Sequence, residues 1–461
     1  LLFVKYVLVL WTCRTEAYHS GRLCHLNFLI QNSMAQSAAV MALSATSVTD
    51  QYIFKKEYDF RPLIRQHSDF SQFHRVTKLP GTKFVGQTVE VIIDPKQFGD
   101  LMTNAYLALT MPALPAIYSY TEFIGRAIIE HVEFRIGEQI VEKIDDVWYI
   151  IRDQILLDAD EKLAMYKCIN NGQVPGSPVT AATAFEVMIP LELFFCRRHS
   201  HGIKARQRLE TPPLPLCAML KQKISIKFFF RPQTWFTNYT TPIEFQNPRL
   251  ITEEIMLTKE ERLYYQNTPF NAVINISKND AVTNYQNGQP THYFTADFPV
   301  TMMVWFVRNS AFTNESSNNY YASRYAFGYT TKYLAATTPV TFFDGTTNKY
   351  IDVLQSSDIY INGRNFMGPF ATGPFYQFKE PMDHGLSVPS KSLYVYCFGK
   401  TPKEYNQGGY LNFKNINSQT SKIVMTFIPG YSPNIEANYR INLYYYGYAF
   451  LQIAGGKAIL L

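Results

Sequence analysis

One stretch of this chain gathers most of the residue types that ligate metals or bind anions. It is Cys196-Arg197-Arg198-His199-Ser200-His201, followed by Lys204, Arg206 and Arg208. A thiolate and two imidazoles are zinc donors, and the basic residues would suit an anion. Yet His199 and His201 stand two apart in a segment that reads as a loop, and no fourth ligand is evident. A solvated basic loop is the preferred reading, and contact with an acidic partner or a neighbouring subunit is the functional one. Asp158, Asp160 and Glu161 come nearest to a calcium loop or an acid pair. They lack the glycine and distal glutamate of a calcium loop, and acids at a helix start are favoured by the helix dipole. No GxSxG, phosphate-binding loop or GxGxxG stands in the structural setting that would give it meaning. No residue is therefore assigned to catalysis, to a cofactor or to a metal, and a non-enzymatic protein is expected.

Two further features have functional readings. Asn238-Tyr239-Thr240, Asn275-Ile276-Ser277 and Asn314-Glu315-Ser316 are formal glycosylation sequons, which mean little unless the chain enters the secretory pathway. Tyr444, Tyr445, Tyr446, Tyr448 and Phe450 could stack bases or sugars, but a final core strand is preferred.

The elements that would position these residues follow from composition. A chain of 461 residues is too long for one ordinary core, which suggests two or three domains. Charged residues are 17%, against roughly 25% in a typical soluble domain. Aromatics are 15%, with 34 Phe and 32 Tyr but 4 Trp, a bias towards pleated, half-buried strands. Low charge and many tyrosines also suit burial against further copies of the chain. The net charge of +6 is too mild for a dedicated nucleic-acid binder. Cys13, Cys24, Cys168, Cys196, Cys217 and Cys397 form no CxxC pair, so reduced and mostly buried thiols are expected.

Residues 1–11 are mostly apolar but too few to span a bilayer. Two readings of 1–33 stay open: upstream translation with initiation at Met34 or Met41, and a membrane-touching arm. Residues 34–80 read as an extended polar arm. Short strands then follow: one ending at Asp94-Pro95, Leu101–Met111, a hairpin around Gly137-Glu138, Phe185–Phe195, Ile224–Phe230 and Arg249–Leu257. Asp145–Cys168 is the one helical stretch, broken near Asp158. After a charged connector, 258–269, the strand texture resumes at Phe270–Ser277, Val300–Val307, Tyr350–Leu354, Ile359–Asn362, Leu393–Phe398, Leu411–Phe413, Ile423–Ile428 and Tyr439–Ile453. The polar stretch 309–348 reads as a long exposed loop. The expected organisation is a leader and arm (1–80), one β-sandwich (81–257), the connector, and a second sandwich (270–461).

An ordered series of motifs from about residue 50 to the end resembles the double jelly-roll major capsid proteins of nucleocytoplasmic large DNA viruses. The series runs through His67-Ser68-Asp69-Phe70, Gly99-Asp100-Leu101, Ile124-Gly125-Arg126-Ala127-Ile128, Ile136-Gly137-Glu138-Gln139-Ile140 with Trp148, and Ile189-Pro190-Leu191 to Arg197. It continues with Glu260-Glu261-Arg262, Pro389-Ser390-Lys391 to Phe398, Gly408-Gly409, Asn412-Phe413 and Leu451-Gln452-Ile453 to Gly456. Gly408-Gly409 and Lys414 depart from the usual Ser-Gly and Ser, and 199–213 looks inserted. The resemblance implies an all-β fold of two tandem eight-stranded jelly rolls with short helical insertions. It implies a homotrimer that forms pseudo-hexameric capsomers tiling the icosahedral shell of a virion. Minor capsid or penton proteins are the further partners implied, no specific nucleic-acid binding is expected, and an inner membrane beneath the shell is left open. The competing reading is a lectin-like attachment protein that binds carbohydrate through 309–348.

Overall fold

A computed structural model of the chain describes residues 71–173, 179–196, 211–280, 290–308, 354–368, 371–403, 408–427 and 440–461, and the backbone of 198–199, 209–210, 283–285, 309 and 439. All of these belong to one compact unit, Phe70–Leu461. The readings of residues 1–33, most of the basic loop 199–213 and nearly all of 309–348 fall outside the described residues.

Eight strands carry the first half: β1 (Ser71–Lys78), β2 (Thr88–Ile93), β3 (Leu101–Met111), β4 (Ile129–Ile136), β5 (Gln139–Asp145), β6 (Phe185–Pro190), β7 (Ile224–Phe230) and β8 (Gln246–Met256). They pair as two sheets, β1-β8-β3-β6 and β2-β7-β4-β5, with every neighbour antiparallel. The second half repeats the plan with β9 (Phe270–Asn279), β10 (Thr291–Tyr293), β11 (Pro299–Asn309), β12 (Leu354–Ile361), β13 (Arg364–Asn365), β14 (Tyr394–Cys397), β15 (Lys422–Phe427) and β16 (Tyr439–Ala454). Its sheets run β9-β16-β11-β14 and β10-β15-β12-β13. In each half, one sheet takes the first, eighth, third and sixth strands and the other the second, seventh, fourth and fifth. That path is a jelly roll, made twice. Short segments widen the sheets, among them β17 (Lys457–Leu460), which returns on β16 as a hairpin.

The sequence pattern explains which strands have one buried face and which have two. Phe185–Pro190 alternates buried and exposed, as a half-covered strand should. β11, and β16 from Ile441 to Gly447, are buried almost without interruption, because the outer face of their sheet is covered there as well. Gly447 on β16 makes that packing possible: a Cβ there would lie 1.9 Å from the Pro299 carbonyl oxygen. Apolar side chains of both rolls join into one continuous buried cluster.

A short helix, α1 (Ile124–Ala127), lies just ahead of β4, and α2 (Asp146–Ile155) and α3 (Ala159–Ile169) fill the passage of the first roll from its fifth strand to its sixth. Asp145 starts α2 by accepting the Trp148 N–H at 2.6 Å, and the Glu161 side chain reaches back to the Asp158 N–H to start α3. The acids of 158–161 therefore begin a helix, as expected.

Three sequence readings are corrected. Phe185–Phe195 is not one strand: it stops at Pro190, and Glu192 takes a left-handed φ of 51° that turns the chain. Asp145–Cys168 is not the one helical stretch, because the charged connector contains the capped helix α4 (Lys259–Asn267). The polar segment Ser71–Lys78, read as part of an arm, is a sheet strand hydrogen-bonded along β8.

Candidate functional site

The residues of most specific chemistry gather at the seam between the two rolls. Trp148 on α2 is buried and lies flat against two tyrosines of β16, with ring centroids 5.9 Å from Tyr444 and 5.6 Å from Tyr446. Tyr444 also donates its hydroxyl to Asp145 Oδ2 at 2.9 Å. Burial, then the neighbouring Asp146 carboxylate, push the Asp145 carboxyl up to about 6, against the pull of the Trp148 N–H and Tyr444. From the other side, the segment ahead of β14 reaches back to the first roll. Ser387 donates its N–H to the Ile155 carbonyl at 2.8 Å and its hydroxyl to Leu157 at 2.6 Å. Ser390 donates twice to Gln154 Oε1, and Lys391 meets the buried Glu122 at 2.9 Å. At the far end, Gln139 and Leu460 exchange hydrogen bonds of 3.1 and 2.9 Å. Both connections between fifth and sixth strands thus meet each other.

Motif residues that looked unrelated in the sequence prove to be partners. Arg262 of α4 grips Asp100 ahead of β3, with Nε 2.7 Å from Oδ1 and Nη2 2.9 Å from Oδ2. Arg126 is fully buried, paired with Asp153 at 3.2 Å, donating to the Pro190 carbonyl at 2.7 Å and lying over the Tyr149 ring. Beside it, a Cβ on Gly125 would come within 2.8 Å of Ile169 and Val187, so helix α1 can seat only with glycine there. A buried pair such as Arg126–Asp153 holds one geometry and is costly to break.

Two polar clusters lie inside the second roll. Asp280 receives hydrogen bonds from His292 Nε2 at 3.0 Å, the Tyr445 hydroxyl at 2.5 Å, and the Thr295 hydroxyl and N–H. Burial raises its carboxyl, but these donors outweigh burial and hold it below the usual carboxylate range. The other cluster joins Glu380, His384 and Cys397, whose ligand atoms all lie within 4.8 Å of one another. The sequence reading passed over this trio; the four-residue spacing of Glu380 and His384 was its only signal.

The residues singled out for chemistry in the sequence are not brought together. Cys196 is buried at the end of its turn, whereas the side chains of His199 and His201 fall outside the described residues. Among the sequons, Asn275 is buried within β9, Asn238 accepts the Ser119 N–H, and Asn314 falls outside the described residues. Tyr444, Tyr445 and Tyr446 are core residues of the last long strand.

Comparison with known proteins bears on the whole frame. Residues 59–257 match the family model of the major capsid protein N-terminus, and 261–458 match that of the large eukaryotic DNA virus major capsid protein. The chain is 24% identical over 184 residues to probable capsid protein 4 of Acanthamoeba polyphaga mimivirus, which is 37% of this chain and 33% of that protein. It is 28% identical over 177 residues to the major capsid protein of Pyramimonas orientalis virus, 37% of this chain and 40% of that one. These matches therefore span well under two thirds of either relative. A third runs longer, at 21% identity over 376 residues, covering 78% of this chain and 80% of the major capsid protein of Paramecium bursaria Chlorella virus 1. Among solved structures, VP54 of that virus superposes with a TM-score of 0.66 at 19% identity, over 87% of this chain and 98% of VP54. The Faustovirus major capsid protein gives 0.61 at 12% identity, over 93% and 98%. These likenesses show the fold, a double jelly roll.

Proposed function

The chain belongs to the family of large eukaryotic DNA virus major capsid proteins, whose place is the virion shell, and on that premise we propose that three copies associate into a near-hexagonal tile. One observation carries this reading: a single chain holds two rolls of identical strand path, locked together along a buried seam. Two similar rigid units per chain become six around a threefold axis, and tiles of such shape extend over a surface through heterologous contacts. Its role on this reading is structural and not catalytic, because the buried charged and polar groups described above serve to fix packing.

An exposed apolar groove offers a place for copies to meet. It encloses about 750 Å³ and is lined by Pro213, Tyr265, Val273, Tyr410, Tyr448 and Phe450, of which Tyr410 is 57% and Phe450 46% exposed. Aromatic-rich exposed patches of this kind mark contact surfaces. Minor capsid or penton proteins would take further faces of the assembled tile. Light scattering on the purified full chain should return three times the 53.1 kDa of one copy. A monomer that persists across ionic strength and concentration would overturn the proposal.

A further inference from the structure

Glu380, His384 and Cys397 form the one group of three potential metal ligands found among the described residues. The chain reaches them through a π-helical turn, Phe375–Lys379, that runs directly into a short helix, Glu380–Asp383. Glu380 and His384 are thus four apart and face the same way, towards Cys397 at the end of β14. Glu380 and Cys397 are buried, whereas the His384 side chain keeps 22% of its surface open. That opening gives an ion access and leaves room for a water as a further ligand.

The geometry of the imidazole distinguishes a metal site from ordinary packing. His384 Nδ1 lies 3.0 Å from the Lys400 carbonyl oxygen, and only a protonated Nδ1 can satisfy that acceptor. In the neutral ring, Nε2 then carries a bare lone pair, and it lies 3.4 Å from Glu380 Oε1. A shared proton would draw these atoms to roughly 2.7–3.2 Å. Two donors each about 2.0–2.1 Å from a tetrahedral ion stand roughly 3.3 Å apart, which is the spacing observed. The carboxylate is itself held in place, because Oε1 accepts the Cys397 N–H at 2.9 Å. The Glu380 carboxyl and the Cys397 thiol are both buried, so two groups withdrawn from water would gain from a cation between them.

We propose that Glu380, His384 and Cys397 bind a divalent zinc-like ion, with water completing its coordination. The thiolate selects against magnesium and calcium, and the set of one sulfur, one imidazole and one carboxylate suits zinc. Binding would displace the thiol proton to solvent and form the metal–sulfur bond in its place. The ion would clip the Phe375–Asp383 segment to β14. The residues between those two points, Ser387, Ser390 and Lys391, are the ones that bond to the first roll. The clip would therefore brace the seam.

The test uses untagged full-length protein, dialysed against a chelator and titrated with cobalt(II) and then zinc. One equivalent of cobalt per chain should bind with a near-ultraviolet thiolate charge-transfer band, and zinc should bleach it. Cys397→Ser should remove the band, and His384→Gln should weaken binding by about tenfold or more. Cobalt that binds without a thiolate band, or equally well to wild type and Cys397→Ser, would overturn the site. Should Cys397→Ser fail to fold by near-ultraviolet circular dichroism, the partly open His384 decides: unchanged affinity in His384→Gln would overturn it too.

Discussion

Adjacent tyrosines on β16 each donate to an aspartate, yet the two carboxyls are shifted in opposite directions. Tyr445 points into the second roll and bonds to Asp280; Tyr444 points out of it, across the seam, and bonds to Asp145. Asp280 collects donors from His292, Thr295 and Tyr445, and these overcome the cost of burial. Asp145 has the Trp148 N–H and Tyr444 on its side, but Asp146 stands beside it and adds to the cost of burial. The difference shows how one strand can serve two purposes. Inside the roll, a charge is surrounded by enough donors to stay ionised and fix the packing. At the seam, the carboxyl is raised to about 6, so the joint between rolls is sensitive to pH.

The comparison breaks most completely at the strand that carries both tyrosines. Gly447→Ala places a methyl group 1.9 Å from the Pro299 carbonyl oxygen, so β11 and β16 must part. A loss on the order of 3 kcal/mol or more is expected, with roll interior and seam failing together. Urea unfolding followed by tyrosine and tryptophan signals should show one lowered transition. A variant with wild-type stability would mean that the two strands are looser than their register implies.

Comparable in size, and aimed at the contrast itself, is a pair of deletions. Asp280→Ala leaves His292, Tyr445 and Thr295 without their shared acceptor inside the roll, a loss of about 3–5 kcal/mol. Asp145→Ala removes a helix cap and one seam hydrogen bond but also relieves Asp146 of a like charge, so about 1–2 kcal/mol is expected. Denaturant midpoints of the two variants, measured side by side at neutral pH, rank them. If Asp145→Ala proved the more damaging, the seam and not the roll interior would depend more on its charge.

Much of this fold was legible in the residues, and the reasons differ by element. Leu101–Met111 and Ile224–Phe230 were read to the residue because proline or a polar turn closes each run. The break at Asp158 was legible because helix-start acids announce themselves locally. Ser71–Lys78 was not legible, since its pattern of polar residues reflects an edge strand with much of its surface exposed. The seam was only half visible. Trp148, Gln139, Ser390, Lys391 and Gly456, whose carbonyl accepts the Lys221 N–H, all stood among the motifs, but nothing in their spacing shows that they meet across the two rolls. Asp100 and Arg262 are 162 positions apart, and only the closing of the first roll brings them into one ion pair. Glu380, His384 and Cys397 were missed for the same reason: the turn that gathers them depends on packing and not on local pattern.

The smallest expected effect is also the most selective test of the contrast. The Asp145 carboxyl has a folded value of about 6 and an ordinary value of 3.8. The folded chain therefore holds this proton more tightly than the unfolded one, and the contribution is fully present below pH 4 or so. It is lost as pH rises through about 6. Asp280 acts in the reverse sense: its folded value is lowered, so its contribution is present at neutral pH and is lost as pH falls through that value. Asp145→Asn keeps an acceptor oxygen for the Trp148 N–H or the Tyr444 hydroxyl but cannot ionise. Because Asp145 is only partly buried, the penalty it removes is discounted to roughly 1 kcal/mol. The expected result is a small rise in the unfolding midpoint at pH 7, no gain at pH 4, and a flatter profile between them. A variant that is destabilised at pH 7, or that keeps the wild-type slope, would assign the pH response to another group and leave the two aspartates alike.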